Sequence, residues 1–291
     1  MPQELNWGFP VALDLFLAGM AAGALMVAVV AQMAGDRRYR AVSLTGALIA
    51  PWPAILGVLL LVVDLGVPWR FWELLLRRGE GFLMFNPTST MSIGTWLMTL
   101  FIFGSLAYLA VSLLTIPFRW GAKVRTVAGL CTLPLALLVT IYTGVLLSAT
   151  PRVPWSTPLL PTLFVTSAIA TGIASVVFVL AVFQTVKASA RVGSPVPRLE
   201  RLISMVLCLQ LLVTVAFVLL QITSTQMKFI IGPGLGLLWW IGIIGLGLIL
   251  PLVAGFKPGV KKLRTSIVVS ALVLLGGLLL RYVILVAGQT A

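Results

Sequence analysis

Residues 9–34 read FPVALDLFLAGMAAGALMVAVVAQMA, an apolar stretch in which Asp14 is the only charged residue. A transmembrane helix needs about 20 predominantly apolar residues, so this stretch is long enough to cross a bilayer. Further runs of similar length and character follow along the chain. The eight runs cover residues 9–34, 41–64, 91–116, 125–148, 161–186, 200–222, 233–254 and 264–286. The sequence therefore predicts an all-α polytopic membrane protein.

The composition excludes an ordinary soluble domain and narrows the chemistry. Of the 291 residues, 60% are hydrophobic and 9% are charged, whereas about a quarter of the residues in soluble domains are charged. The chain has no histidine and two cysteines, Cys131 and Cys208. Membrane haem is usually held by histidine, and an iron–sulfur cluster or a structural zinc ion needs about four ligands. We expect no haem, no iron–sulfur cluster and no metal site in this chain.

The basic residues predict the orientation of the helices. Fourteen of the 20 Lys and Arg residues fall in alternate connections, near residues 37–40, 119–125, 187–201 and 257–264, and five fall in the others. Because cytoplasmic loops of membrane proteins are enriched in Lys and Arg, the first set is expected in the cytoplasm and both termini outside. The net charge of +13 is thereby explained by topology, and no nucleic-acid partner is expected.

Two segments of the chain resemble each other. Residues 10–32 and 161–184 both open with proline and contain small-residue stretches, AGMAAGA and SAIATGIAS. This similarity predicts two four-helix bundles, formed by residues 1–150 and 151–291. Both segments would run from outside to inside, which differs from the inverted repeats common in secondary transporters. The small residues are expected to allow close helix packing.

The longest outer connection, residues 66–90, contains PWRFWELLLRRGEGF. Trp69, Trp72 and Leu76 can share one face of a short helix that rests at the membrane interface. Such a helix would anchor the chain through its tryptophans or would receive a partner protein on the outer face.

Few ionisable residues occur inside the predicted spans, and charge at that depth is costly. Asp14, Asp64 and Arg281 all lie near the outer boundary, and Tyr142 lies in the same layer. No Asp or Glu is expected in the inner half of any span. Structural roles for three of these residues stay open. Asp64 precedes a helix stop, and Tyr142 would suit an interfacial aromatic belt. Arg281 could form a buried ion pair or extend its side chain toward water.

Several stretches in chain order resemble the NrfD/polysulfide reductase membrane-subunit (PsrC-like) family, and together they span nearly the whole chain. They are DLFLAGMAAGA, VVDLGVPWRFW, NPTSTMSIGTW, TGVLLSATPRVPWSTPLLPTLFVTSAIATG and GGLLLRYVILVAGQ. The resemblance implies an eight-helix, haem-free subunit in the bacterial inner membrane that binds menaquinone or ubiquinone. It also implies a four-cluster iron–sulfur partner and a molybdopterin catalytic subunit on the outer face.

By this resemblance the quinone pocket would lie in the first bundle, toward the outer face. Asp14 would occupy the polar quinone-contacting position and Tyr142 the phenol position, while Asp64, Asn86 and Arg281 would be further quinone contacts. The chain departs from relatives that use histidine in the pocket, because it has none. A carboxylate can accept a quinol proton, and a tyrosine hydroxyl can hydrogen-bond a quinone oxygen.

These features predict a subunit that passes electrons between the quinone pool and an iron–sulfur partner. Two alternatives stay open from the sequence. A transporter or channel would use Asp14, Asp64 and Arg281 to line a polar route, and a passive anchor would have no quinone site.

Overall fold

The computed structural model describes residues 7–64, 69, 71, 75, 89–114, 118–149, 155, 157–186, 196–221, 232, 234–256 and 263–290. Within these residues all regular secondary structure is helical. Among them, eight helices are long and apolar enough to cross a membrane, which confirms the predicted fold class. Helices are favoured inside a bilayer because they satisfy every backbone N–H and C=O internally.

We number the eight spans α1 to α8. They are α1 (Phe9–Met33), α2 (Arg40–Asp64, in two segments), α3 (Thr90–Leu113), α4 (Phe118–Ser148), α5 (Leu159–Val186), α6 (Val196–Gln221), α7 (Leu235–Gly255, with the last helical segment continuing to Phe256) and α8 (Leu263–Thr290). A short 3-10 turn, Arg37–Tyr39, precedes α2.

Local sequence explains several helix ends. Pro10 lies in the first turn of α1, where its missing N–H has no partner to lose. Gly35, with φ of +69°, follows the end of α1 in the left-handed conformation that terminates many helices. The helix of α2 is interrupted between Ile49 and Pro51, because proline cannot donate a backbone hydrogen bond. At the start of α3, the Ser89 hydroxyl accepts a hydrogen bond of 3.4 Å from the Ser92 N–H.

The seventh span departs from regular α-helical geometry. After one turn at Leu235–Leu237 it continues as a π-helix over Leu238–Ile249 and returns to α-helix over Leu250–Phe256. Gly247 of this segment packs against Gly276 of α8, where an added Cβ would lie 2.7 Å from the Gly276 Cα. Because both positions are glycine, the π-helical segment of α7 can approach α8 closely.

The helices α1 and α5 pack against each other at the centre of the molecule. α1 also contacts α2, α4 and α8, whereas α5 also contacts α4, α6 and α8. At the crossing, a Cβ added to Gly172 would lie 2.2 Å from the Gly23 carbonyl carbon, so both positions require glycine. The two segments that resemble each other in sequence therefore form the central helix pair. The division into two bundles at residue 150 stays a prediction.

The two ends of the described chain meet at one end of the bundle, which we call the outer end. The Trp7 N–H donates to Gln289 Oε1 over 2.9 Å, and Gln289 Nε2 donates to the Trp7 carbonyl over 2.9 Å. The Trp155 ring stacks on Trp7 at 5.6 Å between centroids, and its Nε1 donates to the Ile284 carbonyl over 2.8 Å. Same-side termini are thus observed. Which side of the membrane they occupy stays a prediction.

The predicted interfacial helix between residues 66 and 90 lies largely outside the described residues. Trp69 and Phe71 of this connection are described, and both side chains are exposed. Their exposure is compatible with either of the predicted roles, an interfacial anchor or a docking surface.

The opposite, inner end of the bundle corrects one prediction. α6 begins at Val196, and Glu200 therefore lies within its first two turns, inside a membrane-spanning helix. The prediction that no acidic residue occupies the inner half of a span is wrong, because Glu200, the first residue of the predicted run 200–222, lies near the inner end of this helix. Nearby, Arg198 donates a hydrogen bond of 2.8 Å to the Tyr39 hydroxyl.

Candidate functional site

Asp14 is buried in the second turn of α1, with 7% of its surface exposed. Its Oδ1 atom is inaccessible and has no hydrogen-bond partner among the described residues. A buried carboxylate oxygen without a partner is costly, and in membrane proteins such groups usually mark functional sites. Gly57 of α2 lies directly opposite, where an added Cβ would be 2.4 Å from Oδ1. The carboxylate therefore fits against α2 because residue 57 has no side chain.

Tyr142 of α4 reaches a second glycine, Gly94 of α3. A Cβ added to Gly94 would lie 1.8 Å from the phenol oxygen and 2.1 Å from Cζ. The Tyr142 hydroxyl is also within electrostatic range of the Asp14 carboxylate. The first four helices thus contribute two pairs near the outer end, Asp14 with Gly57 and Tyr142 with Gly94, and the polar groups of the two pairs lie within electrostatic range of each other.

The site is bordered by apolar packing on its inner side. Ala54, Met98 and Val139, which lie about one turn from Gly57, Gly94 and Tyr142 along their helices, belong to one buried hydrophobic cluster. This packing closes the inner side of the site with apolar side chains. The arrangement offers one proton acceptor and one hydrogen-bonding hydroxyl to a ligand that is otherwise apolar.

Arg281 lies away from this site, on another face of α1. It is fully buried, and its Nε donates to the Leu15 carbonyl while NH1 donates to Ser167 Oγ and the Gly277 carbonyl, each over 3.0 Å. Its guanidinium also lies 5.3 Å from the centre of the Phe164 ring. All three hydrogen-bond acceptors are neutral, and NH2 has no partner within the described residues. Arg281 therefore joins α8 to α1 and α5.

The remaining sequence-predicted site residues are not brought to Asp14 in the described structure. Asp64 is the last residue of α2, and its side chain is exposed. Asn86 lies outside the described residues. Roles for Asp64, Asn86 and Arg281 in ligand binding stay predictions.

Gly57 and Gly94 were missed by sequence reasoning. Each is a single glycine inside an apolar span, which is a common feature of membrane helices and does not by itself indicate a site. Only the packing of α2 against α1, and of α3 against α4, shows that the absent side chains make room for functional groups.

Metal-ligating groups are sparse. Within the part of the chain that is described, no three His, Cys, Asp or Glu side chains come together in a way that could hold a metal ion. Cys131 is exposed and Cys208 is half-buried, and neither forms a disulfide.

Eight membrane helices, a buried carboxylate within electrostatic range of a phenol and a central glycine-packed helix pair define a multi-pass membrane protein with a polar site near one surface. Comparison with known proteins specifies the family. The family model described as "Polysulphide reductase, NrfD" matches residues 1–291, and the chain belongs to this family.

Curated relatives align over almost the full length. The chain is 32% identical to the NrfD protein of Escherichia coli (strain K12), with 99% of this chain and 96% of that protein covered. It is 32% identical to the C subunit of polysulfide reductase from Wolinella succinogenes, with 98% and 94% covered. It is 27% identical to an NrfD homologue of Haemophilus influenzae, with 98% and 95% covered.

Proposed function

We propose that this chain is the quinone-binding membrane subunit of a respiratory oxidoreductase complex, and that quinol or quinone binds at Asp14 and Tyr142. The observation that supports it most directly is the buried Asp14 Oδ1, which has no hydrogen-bond partner in the described structure and lies within electrostatic range of the Tyr142 phenol. A quinol supplies a hydroxyl donor for the carboxylate, and its apolar ring and tail suit a membrane-embedded site.

Asp14 and Tyr142 have different roles in the proposed quinol oxidation. When quinol is oxidised to quinone, each molecule loses two electrons and two protons. Asp14 accepts one hydroxyl proton, while the Tyr142 hydroxyl donates a hydrogen bond to the other quinol oxygen and orients the ring. The second proton leaves to water at the outer end. In the reduction direction, Asp14 returns its proton to a quinone oxygen.

The electrons pass to a partner subunit in this proposal. The chain has no histidine and two cysteines, so a cluster relay has few ligands here. The relative in Wolinella succinogenes is named as one subunit of polysulfide reductase, which supports a place in a multisubunit enzyme. We assign a four-cluster iron–sulfur subunit and a molybdopterin catalytic subunit to the outer face of a bacterial inner membrane, with both termini on that face.

Exposed aromatic residues support a partner surface at the outer end. Trp69 is 87% exposed and Phe71 is 46% exposed, and aromatic side chains are enriched in interface cores. The Trp7–Trp155 stack lies at the same end as the Asp14–Tyr142 site. A partner docked there would be close to the proposed quinone position, which favours direct electron transfer.

The proposal is tested with Asp14→Asn in the assembled complex. The amide keeps the size of the side chain and loses its basicity, so quinol oxidation should fall by about 100-fold, in the range of general-base removal, while subunit assembly is retained. Asp36→Asn at the exposed turn before α2 is the matched acid-to-amide control and should keep full turnover. Quinol oxidation and copurified quinone are measured for both.

Three results would contradict parts of the proposal. Full quinol turnover in Asp14→Asn would remove Asp14 from the reaction. An assembled complex that transfers electrons to its partner without any bound or exchangeable quinone would make this subunit a passive anchor. Proton uptake from the inner side in liposomes, coupled to turnover, would refute the outer-side proton route.

A further inference from the structure

A small cavity lies at the inner end of the molecule, between α6, α7 and α8, and both polar and apolar side chains line it. Its volume is about 10 Å³, which is room for one water-sized particle. Glu200 and Ser204 of α6, Gly255 of α7, and Ser266 and Ser270 of α8 line it. Three helices thus surround a site that the proposed quinone chemistry does not use.

Two of the serine hydroxyls donate hydrogen bonds to Glu200. Ser204 Oγ donates to the Glu200 backbone carbonyl over 3.0 Å. Ser266 Oγ donates to the Glu200 carboxylate. A hydroxyl that donates elsewhere keeps two oxygen lone pairs. The cavity wall therefore carries hydroxyl oxygens and the negative charge of Glu200.

Ser270 carries the third hydroxyl, which has no hydrogen-bond partner among the described residues. Only 1% of its surface is exposed, and its Oγ has no hydrogen bond to any described residue. A buried hydroxyl without a partner is unfavourable in a protein interior, and more so inside a membrane. Its position on the cavity wall indicates that something in the cavity completes its interactions.

The end of α7 adds to the negative character of the cavity. Gly255 lies in the last turn of α7, where the final carbonyl oxygens have no partner within the helix and the helix dipole is negative. A Cβ at this position would lie 2.1 Å from Ser204 Oγ, so glycine allows the helix end to approach the cavity. Helix C-termini of this kind coordinate sodium in membrane transporters.

We propose that the cavity binds one dehydrated monovalent cation of the size of Na⁺, with Glu200, Ser204, Ser266 and Ser270 as its side-chain ligands. Oxygen atoms are the ligands that hard cations prefer. The neighbouring Arg201 and Arg264 side chains are exposed, so water and salt screen their repulsion. The bound ion links α6, α7 and α8 at the inner end and stabilises their packing. This proposal is independent of the quinone site.

The test is binding of ²²Na⁺ to the purified complex that contains this chain, in choline buffer of constant ionic strength. The wild-type complex should bind one displaceable Na⁺ per copy of this subunit at its saturating concentration. Glu200→Gln should abolish this binding, and Ser270→Ala should weaken it by about tenfold, as expected for loss of one interaction with a charged group. Ser175→Ala, a buried serine of α5 that bonds within its own helix, is the control and should bind as wild type.

A second measurement distinguishes the loss of Na⁺ binding from a folding defect in the variant. Thermal unfolding of the wild-type complex should shift upward as Na⁺ replaces choline, because a ligand that binds only the folded state stabilises it. The Ser270→Ala complex should need more Na⁺ for the same shift. If wild type binds no ²²Na⁺ and its unfolding ignores the ion, the cavity holds water and the proposal is wrong. Wild-type binding in a folded Glu200→Gln complex would also overturn it.

Discussion

Replacing Gly94 by alanine tests whether the position of the Tyr142 phenol matters for turnover. The added methyl group would lie 1.8 Å from the phenol oxygen, whereas ordinary contacts begin at 3.4 Å. The phenol, or the helix that bears it, must therefore move by about 1.6 Å. Overpacking of this kind typically lowers the free energy of unfolding by roughly 1–3 kcal/mol. Misplacement of a reacting group by about 1 Å can lower a rate by about 100-fold.

The expected result is a loss of quinol oxidation of about 10- to 100-fold, which corresponds to ~1.4–2.7 kcal/mol of activation free energy. The assay is steady-state quinol oxidation by the assembled complex, with copurified quinone measured in the same preparation. Gly104→Ala is the matched control, because it lies in the same helix and its Cβ would come no closer than 2.9 Å to any neighbour, the nearest atom being Thr132 Cγ2. This control should retain most of the activity.

A double variant separates the phenol from a general distortion of α3. In a Tyr142→Phe background the hydroxyl is already absent, so Gly94→Ala should lower turnover by a smaller factor than it does in the wild type. Equal factors in both backgrounds would show that alanine acts through another group. Wild-type turnover in the Gly94→Ala complex would refute the reasoning that the phenol must occupy its observed place.

Three further predictions follow from the packing and the charge distribution. Gly172→Ala should destabilise the protein by at least 1–3 kcal/mol, because its Cβ would lie 2.2 Å from the α1 backbone; a lowered unfolding temperature checks this, and an unchanged one would contradict the observed crossing. A cysteine introduced at Gly79 should react with an impermeant reagent added outside, while one at Gly193 should be protected, and the reverse pattern would invert the topology. Glutamate at both Arg77 and Arg78 should weaken copurification of the iron–sulfur partner, and crosslinks from that partner to the inner loops would exclude the outer docking surface.

The spans were predictable because their cause is local. A bilayer requires about 20 apolar residues for each helix and leaves no backbone group unpaired, so length and hydropathy suffice to find the helices. The helix ends were less predictable. α6 begins at Val196 and α8 ends at Thr290, beyond the apolar runs, because helices continue into the polar interface where hydropathy no longer marks them. Glu200 is a separate case, because it is the first residue of the predicted run 200–222 and lies in the inner half of α6.

The candidate site was predicted in part. Asp14 and Tyr142 stand out as polar groups at one depth of two apolar helices, and depth follows from counting residues along a helix. Whether the two groups of α1 and α4 come within electrostatic range depends on how the helices rotate and cross. Gly57 and Gly94 therefore became visible only when their missing side chains were seen to make room for a carboxylate and a phenol.

The amino-acid sequence alone determined that this is an eight-helix membrane protein with its acid and phenol near one surface, because burial in lipid selects residues one by one along the chain. Tertiary structure decided which of these residues meet. Arg281 lies at the same depth as the candidate site, yet it bonds to Leu15 on another face of α1 and to Ser167 of α5. A residue's position along a helix specifies its depth, but its neighbours depend on packing between distant segments, which no local pattern encodes.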